Sequence, residues 1–577
     1  MDRKHVANVL EELAVLLELK GESPFKIRAY QQAARTVLSL EQDLEELVTS
    51  GGLAKVRGIG KSLTGHITEL VKTGGLKYLD ELRKSFPAGF LEILKVQGLG
   101  PKKVKILYED LGVTNLGELE YACQENRLIS LKGFGVKSQA KVLQGLENLK
   151  KYRGRFLWSE VEPKAGELTA RLAEGHDIER VELAGRFRRG LEVLTGLDLV
   201  VVSSSPAKAA RYLEKPDLVE SIDGGAKNRF TIRLKSGLGA DLRFVSAESF
   251  PFAWRHFTGS REHNAVMRRR AKAMGLELSD VTLLDRTGRA RTAADEAGIF
   301  SLLDLPFIPP ELREGLGEIE AAETGSLPDL VREADLKGIF HVHSTYSDGG
   351  LSIAELTAHC RDLGYEYLGL SDHSQSARYA GGLTLADLER QLAEVKKVRA
   401  GNPGFGLFWG IESDILPDGS LDYPDEVLAG FDFVIASVHS GFSMPEKEMT
   451  ARLVRAVTNP YTTILGHPTG RLLLAREPYA MDLPAVLAAA AKNGTVIEIN
   501  ANPHRLDLDW REMRRAKALG LKLMIGPDAH SAAGLRDTRH GVRIARKGRL
   551  TKDDVLNCLG REDIDRFLVD LRKRRQG

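Results

Sequence analysis

Nine side chains able to bind metal lie between His341 and His530, each at or just beyond the end of a short apolar run. They are His341, His343, Asp348, His373, Glu412, His439, His467, Asp528 and His530. Imidazole and carboxylate together suit Mn, Zn or Fe. Nine ligands are too many for one ion, so the set predicts two or three divalent ions with Glu412 as the bridge. Such ions bring the pKa of a bound water down towards ~7 and neutralise a phosphate and its leaving oxygen. The chemistry this predicts is phosphoester hydrolysis without a Ser or Cys nucleophile. Arg378 and Arg471 follow two of the metal motifs and are candidates to hold the substrate phosphate. His5, His176, His263, His359 and His540 fall outside the pattern and read as hydrogen-bonded core residues. His504, just past the sixth run, reads as lying outside the ligand set.

Ligands this far apart in sequence need a scaffold that brings strand ends together. The runs end in IFHVHSTYSDG (339–349), LGLSDHS (368–374), FWGIESD (408–414), FVIASVHS (433–440), TILGHP (463–468), VIEINAN (496–502) and LMIGPDAHS (523–531). Amphipathic helical stretches separate them. Repeated β-then-α units predict a parallel sheet closed into a distorted (β/α)7 barrel. In such barrels the chemistry sits at the C-terminal ends of the strands, and the nine residues fall there.

The first 150 residues carry a different signal. Gly-apolar-Gly followed by an amphipathic helix occurs at Gly58/Gly60, Gly98/Gly100 and Gly133/Gly135, each with a lysine nearby: Lys61, Lys102 and Lys137. Glycines allow a tight turn with exposed N–H groups, and the helix start adds partial positive charge. One such turn is weak evidence, whereas three at similar spacing predict repeated contact with a phosphate backbone. Contact of this kind positions a protein without reading sequence and is sensitive to salt. Charge alone does not make this case. Residues 1–154 hold 24 Lys/Arg against 19 Asp/Glu, a mild excess, and the whole chain of 577 residues is near neutral at +2.

Composition excludes several classes. With 42% hydrophobic and 28% charged residues, this is an ordinary folded chain. Its first helix is interrupted by charges and reads as neither signal peptide nor membrane span. The cysteines, Cys123, Cys360 and Cys558, are widely separated, which argues against a disulfide framework and a cysteine zinc site. A reducing cytoplasm is the expected compartment.

Between these regions, LAGRFRRGLEVLTGLDLVVVS (183–203), GADLRFVS (239–246) and FAWRHFTGSREHNAVMRRRAKAMGLEL (252–278) closely resemble the palm and thumb of family X DNA polymerases. The three glycine turns resemble helix-hairpin-helix motifs. The C-terminal pattern of His-x-His, Asp-His, Glu, His, Gly-His-Pro and Asp-x-His resembles a polymerase-and-histidinol-phosphatase (PHP) domain. Taken together, the chain resembles bacterial family X polymerases that carry a PHP domain. The resemblance implies a helical domain with the first hairpin motif over 1–80 and a fingers-like helical domain over 81–153. It implies an α+β nucleotidyltransferase-like palm over 154–245, a thumb over 246–318, a linker over 319–336 and the PHP domain over 337–577.

Arg189, Asp198, Asp241, Gly259, Asn264 and Arg268 match the family's polymerase site, but its first metal aspartate is Gly196 here. A Ser that contacts the triphosphate is Arg186, and the position of the family's lyase lysine holds His66. The resemblance therefore implies a metal-dependent 3′–5′ exonuclease in DNA repair, with abasic-site cleavage and 3′-phosphate removal as related activities and an impaired polymerase. Alternatives are an active gap-filling polymerase, with Mg or Mn at the palm and dNTP as substrate, a non-catalytic DNA-end scaffold, or a small-molecule phosphatase. The expected partner is gapped, nicked or 3′-ended duplex, bound by a nucleoid-associated bacterial monomer with no membrane contact.

Overall fold

The computed structural model describes residues 3–576 other than 41, 88, 125, 153, 214–217 and 225–227. It divides into two compact units, 1–153 and 154–577.

The first unit is helical. Its longest helix, α1 (Arg3–Lys20), buries Val6, Leu10, Leu13, Leu16 and Leu17 along one broad face. Each such side chain contributes roughly 1.5–3 kcal/mol when withdrawn from water. α1 packs against α2 (Pro24–Ser39) and also against α4 (Pro101–Leu111). The helices that follow the glycine turns are α3 (Lys61–Thr73), α4 and α5 (Val136–Tyr152). One apolar core runs from Val6 to Leu146. The division expected near residue 80 is therefore not a break in packing, because α1 serves both sides of it.

The second unit begins with a five-stranded sheet. Its strands are β1 (Ile178–Leu183), β2 (Leu197–Ser203), β3 (Val219–Gly224), β4 (Arg229–Leu234) and β5 (Gly239–Val245), in spatial order β1-β2-β5-β4-β3. β2 and β5 are parallel, and their register sets Asp198 directly opposite Asp241. Two helices, α6 (Phe250–Thr258) and α7 (Arg261–Ala273), then build the thumb around Phe252, Met267, Phe300 and Leu303. The stretch expected as a linker, 319–336, is packed instead. It opens with a helix, Glu318–Glu323, buries Ile319, Leu330 and Val331, and the Val331 amide donates to the Leu550 carbonyl at 3.0 Å. Its apolar residues account for the difference.

The remainder is a barrel of seven parallel strands in sequential order: β6 (Gly338–Val342), β7 (Tyr367–His373), β8 (Gly406–Asp414), β9 (Phe433–Ser437), β10 (Ile464–Leu465), β11 (Val496–Asn500) and β12 (Leu523–Gly526). A bridge between Val342 and Ala529 ties the first strand to the segment after the last. Every residue of these strands is buried, which explains their continuous apolar runs. Phe340, Tyr367, Phe408 and Phe433 fill the interior, and Ile564 and Leu568 of the last helix close its base. Gly410 has no side chain because a Cβ there would lie 2.4 Å from the Phe433 ring. With its base filled, the barrel offers its mouth for chemistry.

Candidate functional site

All nine expected ligands converge at that mouth. They form four overlapping groups able to hold an ion: His343, Asp348, His373 and His530; His341, Glu412 and His467; His341, His343 and Asp528; His373, Glu412 and His439. Glu412 is central. Its Oε1 lies 3.2 Å from His341 Nε2, 3.1 Å from His467 Nε2 and 3.3 Å from His439 Nε2. Its Oε2 lies 2.8 Å from His373 Nδ1 and 3.8 Å from His343 Nε2. Asp348 Oδ1 reaches His530 Nε2 at 3.2 Å and His373 Nε2 at 3.6 Å. Asp528 Oδ1 lies 3.3 Å from His343 Nε2.

The donor set fits divalent cations. His341 Nε2, both ring nitrogens of His343, His467 Nδ1 and Glu412 Oε2 are buried without an aligned hydrogen-bond partner. Leaving buried polar atoms unsatisfied costs about 1–3 kcal/mol each, and coordination relieves that cost. Burial pushes His343 down to about 4, and burial with the charge of Arg505 pushes His467 down to about 3, so both stand neutral at pH 7. Neutral imidazole is the form that ligates. Burial opposes ionisation of Glu412, but His439, His341 and His373 outweigh it and hold the carboxyl well below its usual range.

Backbone strain helps aim the ligands. His341, His467 and Asp528 have φ of 65°, 22° and 52°, the left-handed region that L-residues avoid. His341 sits in a register shift of β6 between Ile339 and Val342.

A second layer of carboxylates holds the imidazoles. Glu498, fully buried on β11, accepts from His341 Nδ1 and from the His467 amide. Asp414 accepts from His439 Nδ1 at 2.6 Å. Asp372 accepts from the Ser344 amide at 2.7 Å, Ser344 Oγ at 2.6 Å and Ser347 Oγ at 2.6 Å, fixing the loop between His343 and Asp348. Such partners set ring orientation and ligand basicity. Sequence reasoning missed all three. The available signal was a carboxylate inside an apolar run that is buried on both faces.

The two expected phosphate-holding arginines are placed differently. Arg378 is exposed on a short 3-10 turn at Arg378–Ala380. Arg471 is spent internally: Nε donates to the Arg505 carbonyl at 2.9 Å, and its terminal nitrogens donate to Asp509 and the Leu506 carbonyl.

In the palm, Asp198 and Asp241 are adjacent, and a cavity of about 610 Å³ opens on the Asp198 side, lined by Arg186, Arg189, Asp198, Gly259, Asn264 and Arg268 among others. Burial and the neighbouring Asp241 raise the Asp198 carboxyl. Asp241 already accepts from Arg229 at 3.0 Å and from Thr231 Oγ1 at 2.7 Å. At Gly196 a Cβ would lie 3.0 Å from the Gly239 carbonyl oxygen, a tight contact with the neighbouring strand. Glu192, the carboxylate that precedes Gly196 in sequence, accepts from Trp510 Nε1 at 3.2 Å and Arg511 at 2.8 Å and is thereby tied to the barrel. Arg189 donates to Glu314 at 3.0 Å and to the Thr258 carbonyl.

In the first unit, Gly58, Gly98 and Gly133 have φ of 93°, 91° and 81° and need to be glycine. Gly60 and Gly100 cap α3 and α4 in extended conformation, with no side-chain cap and nothing within 4 Å of a Cβ position. No described residue demands glycine at either position. Gly135, in the third turn, departs from the expectation of an exposed N–H. It is only half-buried, but its amide donates to Ser138 Oγ at 2.8 Å, and that hydroxyl donates back to the Gly135 carbonyl at 3.0 Å. The reason is the serine three residues into the sequence that follows: its short hydroxyl reaches back over the first turn of α5 and satisfies the amide that a phosphate would otherwise take. The Gly135 amide is therefore occupied within the chain. Lys61, Lys102 and Lys137 are exposed beside these turns. His66 donates or accepts at Tyr30 Oη, 3.0 Å away, and stacks on Tyr78.

Comparison with known proteins agrees with this architecture. Family models match at residues 1–76 (helix-hairpin-helix domain), 90–148 (SAM-like helix-hairpin-helix tandem), 253–314 (DNA polymerase beta thumb) and 340–502 (PHP domain). The chain is 38% identical over 571 residues to the DNA polymerase/3′-5′ exonuclease PolX of Bacillus subtilis, covering 98% of this chain and 99% of that one. The chain belongs to the PHP-bearing family X DNA polymerases. The barrel alone is similar to a probable phosphatase of Thermoanaerobacter sp. (strain X514), 27% identical over 235 residues, which are 38% of this chain and 91% of the relative. A probable phosphatase of Shewanella oneidensis is 29% identical over 163 residues, 27% of this chain and 62% of the relative. Family membership, the hairpin domains and the thumb together imply DNA binding and divalent metals. No helix among the described residues is long and apolar enough to cross a membrane.

Proposed function

We propose that the barrel is a metal-dependent 3′–5′ exonuclease acting on DNA ends, and that the palm polymerises poorly or not at all. The observation that carries this is the contrast between the two centres. The barrel keeps nine convergent ligands with unsatisfied buried lone pairs. The palm has two carboxylates, one of them already paired with Arg229. The same barrel centre suits phosphoesters at abasic sites and 3′-phosphates.

His341, His343, Glu412 and Asp528 would hold ions at the centre of the mouth, and Asp348, His373, His439, His467 and His530 would complete two or three sites. Bound divalent ions would supply Lewis acidity to the phosphoester and acidify water. Glu412 stays ionised among its histidines and can bridge. Glu498 and Asp414 hold His341 and His439 with the metal-facing nitrogen forward. The strained His341, His467 and Asp528 backbones preorganise the ligands. In the first unit, the three glycine turns would grip duplex backbone beside a gap, nick or 3′ end, the third through Lys137 and not through the Gly135 amide. This reading suits a monomer working at the bacterial chromosome in the cytoplasm.

The test uses a 5′-labelled strand in a gapped duplex with Mn²⁺, with and without dNTPs. Wild type is expected to shorten the strand, His341→Ala to slow shortening at least 100-fold, and neither to extend it. Extension by the wild type would restore the gap-filling polymerase reading, with dNTP as substrate. Binding with neither reaction would leave a scaffold.

A further inference from the structure

We propose that Arg505 is the guanidinium that grips the substrate phosphate at the metal centre, and that Arg471 is a positioning residue that holds it there. This rests on the phosphoesterase reading of the barrel.

Arg505 lies in the loop that leaves the C-terminal end of β11. Its Nε stands 3.6 Å from Asp528 Oδ2, while Asp528 Oδ1 faces His343 and His341. The side chain is 18% exposed, so it borders the mouth without being sealed from it. At 3.6 Å the contact with Asp528 is an ion pair but not a hydrogen bond. Among the described residues it is the one charged partner within ion-pair distance. A guanidinium carries five N–H donors in a planar fork, and among the described residues none of them is hydrogen-bonded to a protein acceptor. Its charge is felt at both His467 and Asp528. The fork therefore stands beside the ligand cluster with donors to offer.

The loop is built to hold that position. Arg471 clamps it at three points: the Arg505 carbonyl, the Leu506 carbonyl and Asp509. Asp507 adds two more ties, accepting from the Thr469 amide and Thr469 Oγ1, both at 2.9 Å. Thr469 and Arg471 directly follow the ligand His467, so the His467 loop and the Arg505 loop form one rigid body. The two other arginines of the His467 loop, Arg471 and Arg476, are committed elsewhere. Arg476 donates twice to the Gly470 carbonyl, at 2.9 and 2.7 Å, and lies over the Phe442 ring.

A phosphodiester offers two non-bridging oxygens. Ions held by the nine ligands would draw on one side, and the Arg505 fork matches the geometry of the other. Lysine would supply charge without the fork.

The test is made on the Mn²⁺-loaded full chain, with inorganic phosphate as the probe in isothermal titration calorimetry. Metal content and thermal midpoint are measured alongside. Arg505→Ala and Arg505→Gln are expected to keep the metal and the midpoint while phosphate binding weakens about 10- to 100-fold. Arg505→Lys should recover part of that loss. Arg471→Ala should weaken phosphate binding as well, although it touches no ligand. On a labelled duplex, the Arg505 variants should raise KM and lower kcat. Phosphate binding within twofold of wild type in both Arg505→Ala and Arg505→Gln, with metal retained, would overturn the proposal. So would loss of metal in both, which would make Arg505 a partner of Asp528 only. Because phosphate binding needs no turnover, it remains informative if the exonuclease reading fails in the His341→Ala comparison.

Discussion

At the scale of single residues, the barrel mouth is a competition between protons and cations. Without ions, burial disfavours charge on His439, but Glu412 and Asp414 outweigh it and raise the ring to about 10. Burial likewise opposes charge on His341, but Glu498, Asp528 and Glu412 hold it well above its usual value. Both rings therefore carry a proton at pH 7 that coordination must displace. The sign follows: lowering the pH makes each displacement harder. Mn²⁺ affinity is expected to fall at least tenfold per pH unit between pH 8 and 6, as read by calorimetry, and the fall should be shallower in His439→Ala. A flat profile would mean that these rings bind no proton in competition with metal.

Residue types were the most legible part of the chain. The nine candidate ligands stood out because each ends an apolar run, and the fold brings all nine together. Glu498 and Asp372 were harder to see, since a carboxylate within a strand looks like a solvent-facing position until both faces of that strand are known to be buried. Arg229 could not be foreseen as the partner of Asp241. Its place depends on β4 lying beside β5, a pairing set by the sheet rather than by spacing. Gly135 was misread for a local reason, since Ser138 stands where the two other turns carry no hydroxyl that closes on the glycine amide.

At the scale of elements, the three glycine turns make a quantitative statement about DNA. Lys61, Lys102 and Lys137 are exposed beside helix starts, where each would neutralise about one phosphate. Replacing any one by Ala is expected to weaken binding equally across DNA sequences. It should also reduce the slope of log affinity against log salt by about 1. Filter binding over a salt series would measure this, and an unchanged slope in all three variants would remove the turns from the DNA interface. The order of strands and helices was readable from periodicity because buried parallel strands leave continuous apolar runs. The extent of the linker was not readable. The stretch expected as a linker, 319–336, is pinned down by Ile319, Leu330 and Val331.

At the scale of the whole second unit, palm and barrel are joined by buried polar contacts. Glu192 is buried against Trp510 and Arg511. Lys547 donates to Glu314 and, at 3.2 Å, to the Arg189 carbonyl. Glu192→Ala strands the buried Trp510 indole N–H, while Arg511 keeps Asp509 at 2.9 Å, and is expected to cost about 1–3 kcal/mol. Calorimetry should show palm and barrel unfolding together at a lower temperature. Two separated transitions in the wild type would show that the contacts do not couple the domains.

The Arg543 guanidinium lies 3.5 Å over the Trp158 ring, and its stem packs where a Cβ on Gly190 would come within 2.8 Å. Gly190 ends the Phe-Arg-Arg-Gly turn of the palm, and Arg543 belongs to the barrel helix Thr538–Lys547. This turn is thus under an obligation to its neighbour that does not depend on what the palm binds. Selection that stopped asking for DNA synthesis would still preserve the glycine, because any other residue there would collide with Arg543. Persistence of a polymerase signature in descendants of this chain therefore records masonry as much as catalysis, and a gene trimmed to its barrel would lose the cover on Trp510, Arg543 and Lys547.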